Sequence, residues 1–327
     1  MAIKLALAGD TMLGRGVGER LRTGVADPGS LFSRDLVELA RGADLFVLNL
    51  ECCISERGAP WPAPGKPFFF RAPPTAVEAL RFLGVDCVTL ANNHALDFGE
   101  EALLDTLASL EEAGIAVVGA GRDEEAARRP VVLHAGALRL GVVGLTDHPA
   151  DFAAGPHRPG VAFADLARGV PDWVIGAIDA ARALADVVLV SPHWGPNMAA
   201  EPVPRVRSAA SVLTQAGATL IAGHSAHVFQ GVQGRVLYDL GDFIDDYATD
   251  PIRRNDLGLL FLVEVDERGP VRMEAVPLKL EFCATRLANE READWVRRRF
   301  QQACAPFDTR VSVADGLLRV EWDPAGS

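Results

Sequence analysis

Short apolar runs alternate with helical patterns through the first half of the chain. Apolar runs of strand length occupy residues 3–9, 44–50, 85–90 and 115–118. Segments with a helical spacing of apolar residues lie between them, near residues 30–41, 73–83 and 100–113. A Gly-rich segment, which we expect to be a loop, follows the first run. This alternation is typical of βαβ units and predicts a mainly parallel sheet.

A second series of elements changes the predicted sheet from parallel to mixed. Two apolar runs on either side of Ala135-Gly136 predict a hairpin. Further helices are predicted near 171–184, 204–216 and 287–303, and further strands near 186–191, 218–222, 258–266, 271–277, 308–312 and 316–321. We expect an α/β fold in which two packed sheets carry outer helices. Residues 1–250 would form its main part and residues 251–327 would complete the same sandwich, with a separable C-terminal piece as the alternative.

Residues 55–74 interrupt this pattern because they contain too many prolines for a helix or a strand. The segment also carries Trp61 and three consecutive phenylalanines, Phe68 to Phe70. We therefore predict a long ordered loop whose aromatic side chains pack against the domain. Loops of this length in compact domains are often functional.

Five of the predicted strands end in side chains that can bind a metal. The first ends at Asp10, and the others are followed by Glu51, by Asn92-Asn93-His94, by His193-Trp194 and by His224 and His227. Four of the seven histidines of the chain fall in these clusters. Open α/β sheets place their sites at the carboxyl ends of their strands. The pattern therefore predicts one convergent metal site.

Four of these residues form a plausible ligand set. Glu51, Asn93, His193 and His224 offer one carboxylate, one amide oxygen and two imidazoles. This mixed set suits Mn, Zn or Fe rather than Ca or Mg. We predict one divalent metal ion at this site, and an open coordination position would make the site catalytic rather than structural.

The net charge limits the partners that the protein can have. The chain of 327 residues has a formal net charge of -12 and a pI of about 5.1, which argues against a nucleic acid partner because the charges would repel each other. The five cysteines show no spacing typical of a disulfide framework or a metal site. The sequence shows no signal peptide and no apolar run of about 20 residues, so we expect a cytoplasmic protein without a membrane anchor. A peptide or a small molecule is the expected substrate, and the oligomeric state stays open.

Seven short motifs occur along the chain in the order of one known family. They are Gly9-Asp10-Thr-Met-Leu-Gly14, Asn49-Leu-Glu51, Ala91-Asn92-Asn93-His94-Ala-Leu-Asp97-Phe-Gly99, Gly114-Ile-Ala-Val-Val-Gly119-Ala-Gly121, His193-Trp194-Gly195, Gly223-His224-Ser-Ala-His227-Val-Phe-Gln230 and Leu240-Gly241-Asp242-Phe. Over residues 3–250 they resemble the CapA family of bacterial poly-γ-glutamate capsule-synthesis proteins. That family resembles the calcineurin-like metallophosphoesterases. The resemblance implies a four-layer α/β/β/α sandwich of mixed sheets with a metal centre on top.

The phosphoesterase pattern fails at one position of this chain. Its first motif is Asp-x-His, whereas here Asp10 is followed by Thr11 and Met12. The resemblance thus leaves a complete ligand set for one metal, with Glu51 in the place of the bridging carboxylate. It leaves Asp10 and His227 as a carboxylate and imidazole pair that could face each other across a substrate.

Three functions fit these residues. Proton abstraction and return by Asp10 and His227, with His94 orienting or protonating the substrate, would suit a peptide Cα epimerase. That activity is known in a CapA-like branch that acts on lasso-peptide precursors. The alternatives are a metal-dependent hydrolase, either phosphoesterase or amidase, and a non-catalytic subunit of capsule polymer synthesis.

Further polar residues are predicted to support the site or to bind the substrate. They are Asn49, Asn92, Asp97, Trp194, Asp242, Asp246, Arg15 and Arg254. The aspartates at 242, 245 and 246 are either a solvated acidic turn or partners that orient His224 or His227. Arg254 could pair with these aspartates or bind a substrate carboxylate. His134, His148 and His157 lie outside the motifs and are not predicted as ligands.

Overall fold

The computed structural model describes residues 2–23, 28–62 and 64–322. Its strands are β1 (Ile3–Thr11), β2 (Leu45–Leu50), β3 (Cys53–Ile54), β4 (Arg71–Ala72), β5 (Cys87–Thr89), β6 (Ala116–Val118), β7 (Ala120–Gly121), β8 (Val131–Ala135), β9 (Leu138–Thr146), β10 (Gly160–Val161), β11 (Val187–His193), β12 (Leu220–Ala222), β13 (Val232–Gln233), β14 (Val236–Leu237), β15 (Asp242–Ile244), β16 (Leu257–Asp266), β17 (Gly269–Glu281), β18 (Ala284–Leu287), β19 (Ser312–Ala314) and β20 (Leu317–Glu321). Its α-helices are α1 (Arg15–Arg22), α2 (Arg34–Arg41), α3 (Ala76–Leu83), α4 (Gly99–Glu112), α5 (Glu124–Arg128), α6 (Asp172–Leu184), α7 (Pro204–Gln215) and α8 (Glu290–Cys304).

Two large mixed sheets form the body of the molecule. The first has the order β19-β20-β17-β16-β1-β2-β5-β6, with β15 also paired to β1 and β18 to β17. In it, β1, β2, β5 and β6 are parallel, whereas β16 runs antiparallel to β1. The second has the order β13-β14-β12-β11-β9-β8. Its central strands are parallel and both edges are antiparallel, so the prediction of mixed sheets is confirmed.

Alternating side chains along the strands build three layers of core. In β1, Leu5 and Leu7 belong to the apolar cluster that also contains residues of the second sheet, such as Leu189 of β11. Ala6 and Ala8 point the other way, because successive side chains of a strand face opposite sides. They join a cluster that includes residues of the helices α2 and α3. A third cluster packs α6 and α7 onto the second sheet. The predicted α/β/β/α sandwich is therefore confirmed.

Strands from the C-terminal quarter lie beside the first strand of the chain. β16 runs antiparallel to β1, with register pairs from Ile3 and Val265 to Leu7 and Phe261. β17 continues the sheet on the far side of β16. Residues after 250 thus contribute strands to the same sheet as the N-terminal residues.

Two segments near the site differ from the prediction. The expected Gly-rich loop after β1 contains a helix, α1, which buries Val17 and Leu21. The acidic segment near residue 242 is not a solvated turn: it includes β15, which pairs in parallel with the end of β1 and buries Phe243 and Ile244. The register of this pairing shifts between Asp10 and Thr11.

The Pro-rich segment packs as an ordered loop wherever it is described. Short strands β3 and β4 pair in parallel across its ends. Trp61 packs edge-to-face on Phe152, and Phe70 stacks on His94 with ring centroids 3.9 Å apart. Across the ranges that the structure describes, no helix is both long and apolar enough to cross a membrane.

Candidate metal centre and cleft

The predicted ligand side chains meet where strands of both sheets end. Asp10 and Glu51 come from the ends of β1 and β2 in the first sheet, and His193 from the end of β11 in the second. A short bridge joins His193 to His224: the backbone N–H of His224 donates to the carbonyl of Pro192 at 2.9 Å. These four side chains are buried. The packing of the two sheets therefore brings together residues that are up to 214 positions apart in the sequence.

Asp10 and Glu51 each turn one oxygen towards His193 and the other towards His227. The Oδ1 of Asp10 accepts a hydrogen bond from the Asn49 side chain at 2.6 Å and lies 4.0 Å from the Nδ1 of His193. The Oε1 of Glu51 lies 3.9 Å from the Nε2 of His193. The other oxygens lie 3.3 Å (Asp10) and 3.9 Å (Glu51) from the Nδ1 of His227. The Nδ1 of His224 faces Asp10 at 3.7 Å.

Buried atoms without partners show that this region fits a cation. The Oε1 of Glu51, the Oδ1 of Asn93 and the Nδ1 of His224 are buried and have no hydrogen-bond partner. Each belongs to a residue of the predicted ligand set. Buried polar atoms are costly when they are unpaired, and a divalent cation would satisfy all three types of atom.

The protonation of the site also favours a cation. Burial lowers the pKa of His224 to about 4 and lowers the pKa of His193 well below its ordinary value, so both rings stay neutral and keep a lone pair for a metal. Burial and then the charge of Asp10 raise the pKa of Glu51. Ligand atoms of Asp10, Glu51 and His193 lie within 4.8 Å of one another, so Asp10 is within reach of the same cation.

The predicted opposition of Asp10 and His227 across a substrate is not what the structure shows. The Oδ2 of Asp10 lies only 3.3 Å from the Nδ1 of His227, which is the distance of an ion pair and leaves no room for a carbon atom between them. Asp242 lies even closer to the same nitrogen, at 2.7 Å, and orients His227 as one of the two predictions proposed. Burial by itself lowers the pKa of His227, but the surrounding carboxylates, Glu51 and Asp10 first among them, together outweigh burial and raise that pKa.

Two more histidines are held by aspartates in the same way. The Nδ1 of His94 lies 2.6 Å from Asp97, which also accepts a backbone hydrogen bond from Phe70 at 2.6 Å. The Nδ1 of His148 contacts Asp147. In the ranges that are described, the Nε2 of His94, His148 and His227 has no hydrogen-bond partner and remains available to a substrate.

These three histidines line one cleft of about 820 Å³. His193 and His224 lie beneath it and do not line it. The other lining residues include two cations, Arg15 and Lys66. They also include apolar and aromatic side chains, among them Phe68, Phe70, Phe152, Met198 and Tyr247. The cleft thus offers ring nitrogens, cations and an apolar wall above the candidate metal centre.

Asn49, Asn92, Asp97 and Trp194 lie around the candidate site. Asn92 donates to the side chain of Asn49 at 3.0 Å and accepts from the backbone N–H of His94 at 3.0 Å, which ties the ends of β2 and β5 together. The indole of Trp194 donates to the carbonyl of Tyr238 at 2.9 Å. A Cβ at Gly223 would come within 2.5 Å of that indole nitrogen, so the close packing requires glycine directly before His224.

Asp246 and Arg254 have other partners than those predicted. Asp246 accepts one hydrogen bond from the backbone N–H of Gly16 at 2.9 Å and pairs with Arg15, so it fixes the start of α1 rather than a histidine. Arg254 pairs with Asp256 through two nitrogens, at 2.7 and 2.9 Å. It does not reach Asp242 or Asp246, because a nearer carboxylate already satisfies its guanidinium.

His148 and Lys66 line the cleft although the sequence analysis did not assign either of them to the site. His148 follows β9, so the rule that pointed to the other strand ends applies to it too, but it lies outside the motifs. Lys66 comes from the Pro-rich loop and donates to the carbonyl of Asn93 at 2.8 Å. The loop's role in holding the Asn92-Asn93-His94 segment has no signal in the sequence alone.

Relatives of the chain share most of its length. A probable polyglutamine synthesis accessory protein of Mycobacterium tuberculosis is 32% identical, over 97% of this chain and 96% of the relative. The capsule biosynthesis protein CapA of Bacillus anthracis is 28% identical, over 85% of this chain and 68% of the relative. A putative 5'-nucleotidase structure from Staphylococcus aureus is 14% identical and aligns with a TM-score of 0.47, over 91% of this chain and 58% of that one.

A family model agrees with the motifs. The model described as bacterial capsule synthesis protein PGA_cap matches residues 4–247. This range includes all seven motifs and every predicted metal ligand. The chain therefore belongs to the bacterial capsule synthesis protein family PGA_cap, as its CapA-like motifs predict.

Proposed function

We propose that this protein is a metal-dependent enzyme that moves a proton at the Cα of a peptide or γ-glutamyl substrate. The observation that carries the proposal is the set of three imidazoles, His94, His148 and His227, each held by an aspartate at Nδ1 and lining one cleft. Aspartates that hold histidines in this way fix the ring and leave the other nitrogen to exchange protons with a substrate.

His94 and His227 are suited to opposite halves of this exchange. Burial lowers the pKa of His94, so its ring is neutral and can accept a proton. The carboxylates around His227, Glu51 and Asp10 first, together outweigh burial and raise its pKa, which favours the protonated ring that can donate one. A pair of groups whose pKa values are pushed apart is typical of acid and base partners. Asp10 and Asp242 hold the donor ring in place.

The proposed metal would lie beneath these rings. Glu51, Asn93, His193 and His224 would hold one divalent ion, Mn, Zn or Fe, with Asp10 in reach. When bound, such an ion polarises a substrate carbonyl and makes the neighbouring Cα proton more acidic. The residues of the cleft then orient the substrate and exclude water from the reacting carbon.

Deuterium exchange tests this function directly. The metal-loaded protein should be incubated in heavy water with a panel of synthetic peptides and γ-glutamyl peptides. We expect mass spectrometry to show one deuterium at a Cα, with the chain uncleaved. His94→Asn and His227→Asn should abolish the exchange and retain the metal, while His134→Ala, on the exposed hairpin strand β8, should leave it unchanged.

Hydrolysis is the second candidate, and one observation favours it. Asp10, His227 and Asp242 form a further group of potential ligand atoms within 4.8 Å of one another, next to the first group. Two cations at this place could activate a water molecule. Cleavage of the peptides, or rapid turnover of a phosphate ester, would contradict the proton-transfer function and support this one.

A non-catalytic role in polymer synthesis is the third candidate. The mycobacterial relative is named an accessory protein, and CapA of Bacillus subtilis is named a PGA biosynthesis protein. Full metal loading without deuterium exchange or cleavage of any substrate would favour this role. A cytoplasmic location, a peptide or small-molecule substrate and the absence of a nucleic acid partner remain predictions.

A further inference from the structure

We propose that Arg15 binds a carboxylate of the substrate at the rim of the cleft. The inference names a substrate class for the proposed function and rests on that function for its reaction, but the binding step can be tested alone. The ligand would be a peptide or γ-glutamyl compound with a free carboxylate and an apolar neighbouring part. The carboxylate could come from the chain end or from a glutamate side chain.

One edge of the Arg15 guanidinium is fixed and the other is free. Its Nε lies 3.2 Å from Asp246, which is itself fixed by the backbone N–H of Gly16 at 2.9 Å. Neither terminal nitrogen of Arg15 has a hydrogen-bond partner in the described part of the chain. The side chain is 38% exposed and lines the cleft. A guanidinium held in this way presents two parallel donors, which match the two oxygens of a carboxylate.

Lys66, the other cation of the cleft wall, already has partners within the protein. It is 14% exposed, lies 2.9 Å from Asp97 and donates to the carbonyl of Asn93 at 2.8 Å. Its charge therefore holds the Pro-rich loop against the site. Among the described lysines and arginines that line the cleft, Arg15 alone keeps two nitrogens without a partner for an anion.

The groups below the cleft are already engaged with one another. The carboxylates of Asp10, Glu51 and Asp242 lie at its base against His227 and the proposed metal ion, so Arg15 at the rim is the cationic group left for a substrate carboxylate. With its carboxylate at Arg15, a substrate would extend inwards past His94 and His227. This orientation places the carbonyl and the Cα of the substrate next to the proton-transfer groups.

Aromatic side chains form the surface on which the apolar part would lie. The guanidinium carbon of Arg15 is 5.5 Å from the ring centroid of Phe68 and 5.7 Å from that of Phe70. The ring of Phe70 stacks in turn on His94 and on Tyr247. Phe68 is 54% exposed at this surface. An apolar side chain next to the bound carboxylate would cover it.

Calorimetry with matched acids and amides tests the proposal. The metal-loaded full chain is titrated with acetyl-Ala-Phe as the free acid and as the C-terminal amide, and with acetyl-Glu-Phe-amide and acetyl-Gln-Phe-amide. The first pair tests a chain-end carboxylate and the second a side-chain carboxylate. We expect one acid to bind about tenfold or more tightly than its amide, as for a charged hydrogen-bonded pair. Equal affinities within both pairs, or no binding of any of the four, would overturn the proposal.

Variants identify the residue responsible. Arg15→Gln should reduce the affinity for the acid to that for the amide, and Arg15→Lys should keep part of the difference because it keeps the charge but loses the fork. Arg253→Gln changes an exposed arginine outside the cleft and is the matched control. If Arg15→Gln unfolds, the comparison of acid and amide in the wild type and in Arg15→Lys still tests whether Arg15 binds the carboxylate.

If Arg15→Lys and Arg15→Gln both keep the full difference in affinity between acid and amide, Arg15 is not the residue that binds the carboxylate. Acid-selective binding without deuterium exchange would support the subsite and contradict the proposed reaction.

Discussion

At the scale of one residue, substitution of His193 tests the candidate metal centre. Its side chain is 1% exposed, and burial keeps its pKa low and its ring neutral. In His193→Ala we expect the affinity for Zn or Mn to fall by about tenfold or more, because a direct ligand is lost. Chelator-treated protein would be titrated with each metal, and the bound metal measured by elemental analysis.

His134→Ala is the control for this variant. His134 is an exposed histidine of the β8–β9 hairpin, so its loss should leave the metal content unchanged. Equal metal affinity in His193→Ala and the wild type would contradict the ligand assignment. A fall in both variants would point to a general loss of structure.

Asp245 makes the stability of the metal-free protein depend on pH. Burial raises its pKa to about 6, from an ordinary value near 3.8. A carboxyl whose pKa is raised on folding stabilises the protein below its unfolded pKa, and this contribution is lost as the pH rises through the folded pKa. The contribution of Asp245 should therefore decline between about pH 4 and pH 6 and stay constant above.

Asp245→Asn should remove this decline. The amide oxygen can keep the hydrogen bond from the backbone N–H of Tyr247, which is 2.8 Å long, and the variant carries no buried charge. The free energy of unfolding of the variant, minus that of the wild type, should rise by about 1–3 kcal/mol between pH 4 and pH 6.5. Urea denaturation of both proteins across this range measures it. A difference that is flat with pH would show that folding does not raise the pKa of Asp245, and one that falls with pH would show that folding lowers it.

The pattern of apolar runs along the sequence pointed to site residues that follow strands. It did not point to site residues whose positions depend on contacts with distant parts of the chain. Glu51, His193 and His224 could be found because each follows an apolar strand. His148 and Lys66 could not be assigned, since their roles depend on contacts with Asp147 and Asn93. Arg254 pairs with Asp256, and the sequence does not show which of several nearby aspartates its side chain will reach.

At the scale of elements, the contact between β1 and β15 holds the base of the site. The backbone N–H of Asp10 donates to the carbonyl of Gly241 at 2.9 Å, and Asp10 pairs in register with Asp242. A Cβ at Gly9 would lie 1.7 Å from the Gly241 oxygen. Because both groups are backbone, Gly9→Ala must push the strands apart. We expect it to destabilise the protein by several kcal/mol, measured by urea unfolding, and to weaken metal binding.

Gly176→Ala is the matched control for the substitution. Gly176 lies inside α6, and a Cβ there would meet no atom within 4 Å. Alanine favours helix more than glycine does, so this variant should be stabilised by about 0.5–1 kcal/mol. A Gly9→Ala variant as stable as the wild type would contradict the close contact between β1 and β15.

A clear apolar pattern decided whether the sequence could predict an element. The helices α4, α6 and α7 and the strand β11 lie where the apolar periodicity predicted them, because each is long enough to show its period. β15 has three residues and begins with an aspartate, so neither its length nor its composition indicates a strand. Its pairing with β1 determines its structure, and a sequence pattern does not contain that information.

At the scale of the molecule, the site depends on the packing of the two sheets. Asp10 and Glu51 belong to one sheet and His193 to the other, while the apolar layer between them contains residues from β1, β11, β16 and β17. A change that separates the sheets should therefore remove the metal site even when every ligand is retained. The sequence predicted the two sheets but could not predict their alignment, which depends on side-chain packing across this layer.

Removal of residues 251–327 would separate β1 from its neighbour in the sheet. β16 pairs with five consecutive residues of β1, from Ile3 to Leu7, and supplies Leu259, Phe261 and Val263 to the layer between the sheets. Without it, β1 would have an exposed edge along this stretch, and the layer would lose part of its core. We expect the full chain to unfold in one cooperative transition, and the fragment 1–250 to aggregate or to unfold without cooperativity. Circular dichroism during thermal unfolding would compare the two, and metal titration would show whether the fragment keeps the site. We expect the fragment to lose the site, because a sheet whose central strand has lost its partner cannot keep the geometry of Asp10. A fragment that unfolds cooperatively and binds metal as the full chain does would show instead that the C-terminal strands are a separable addition.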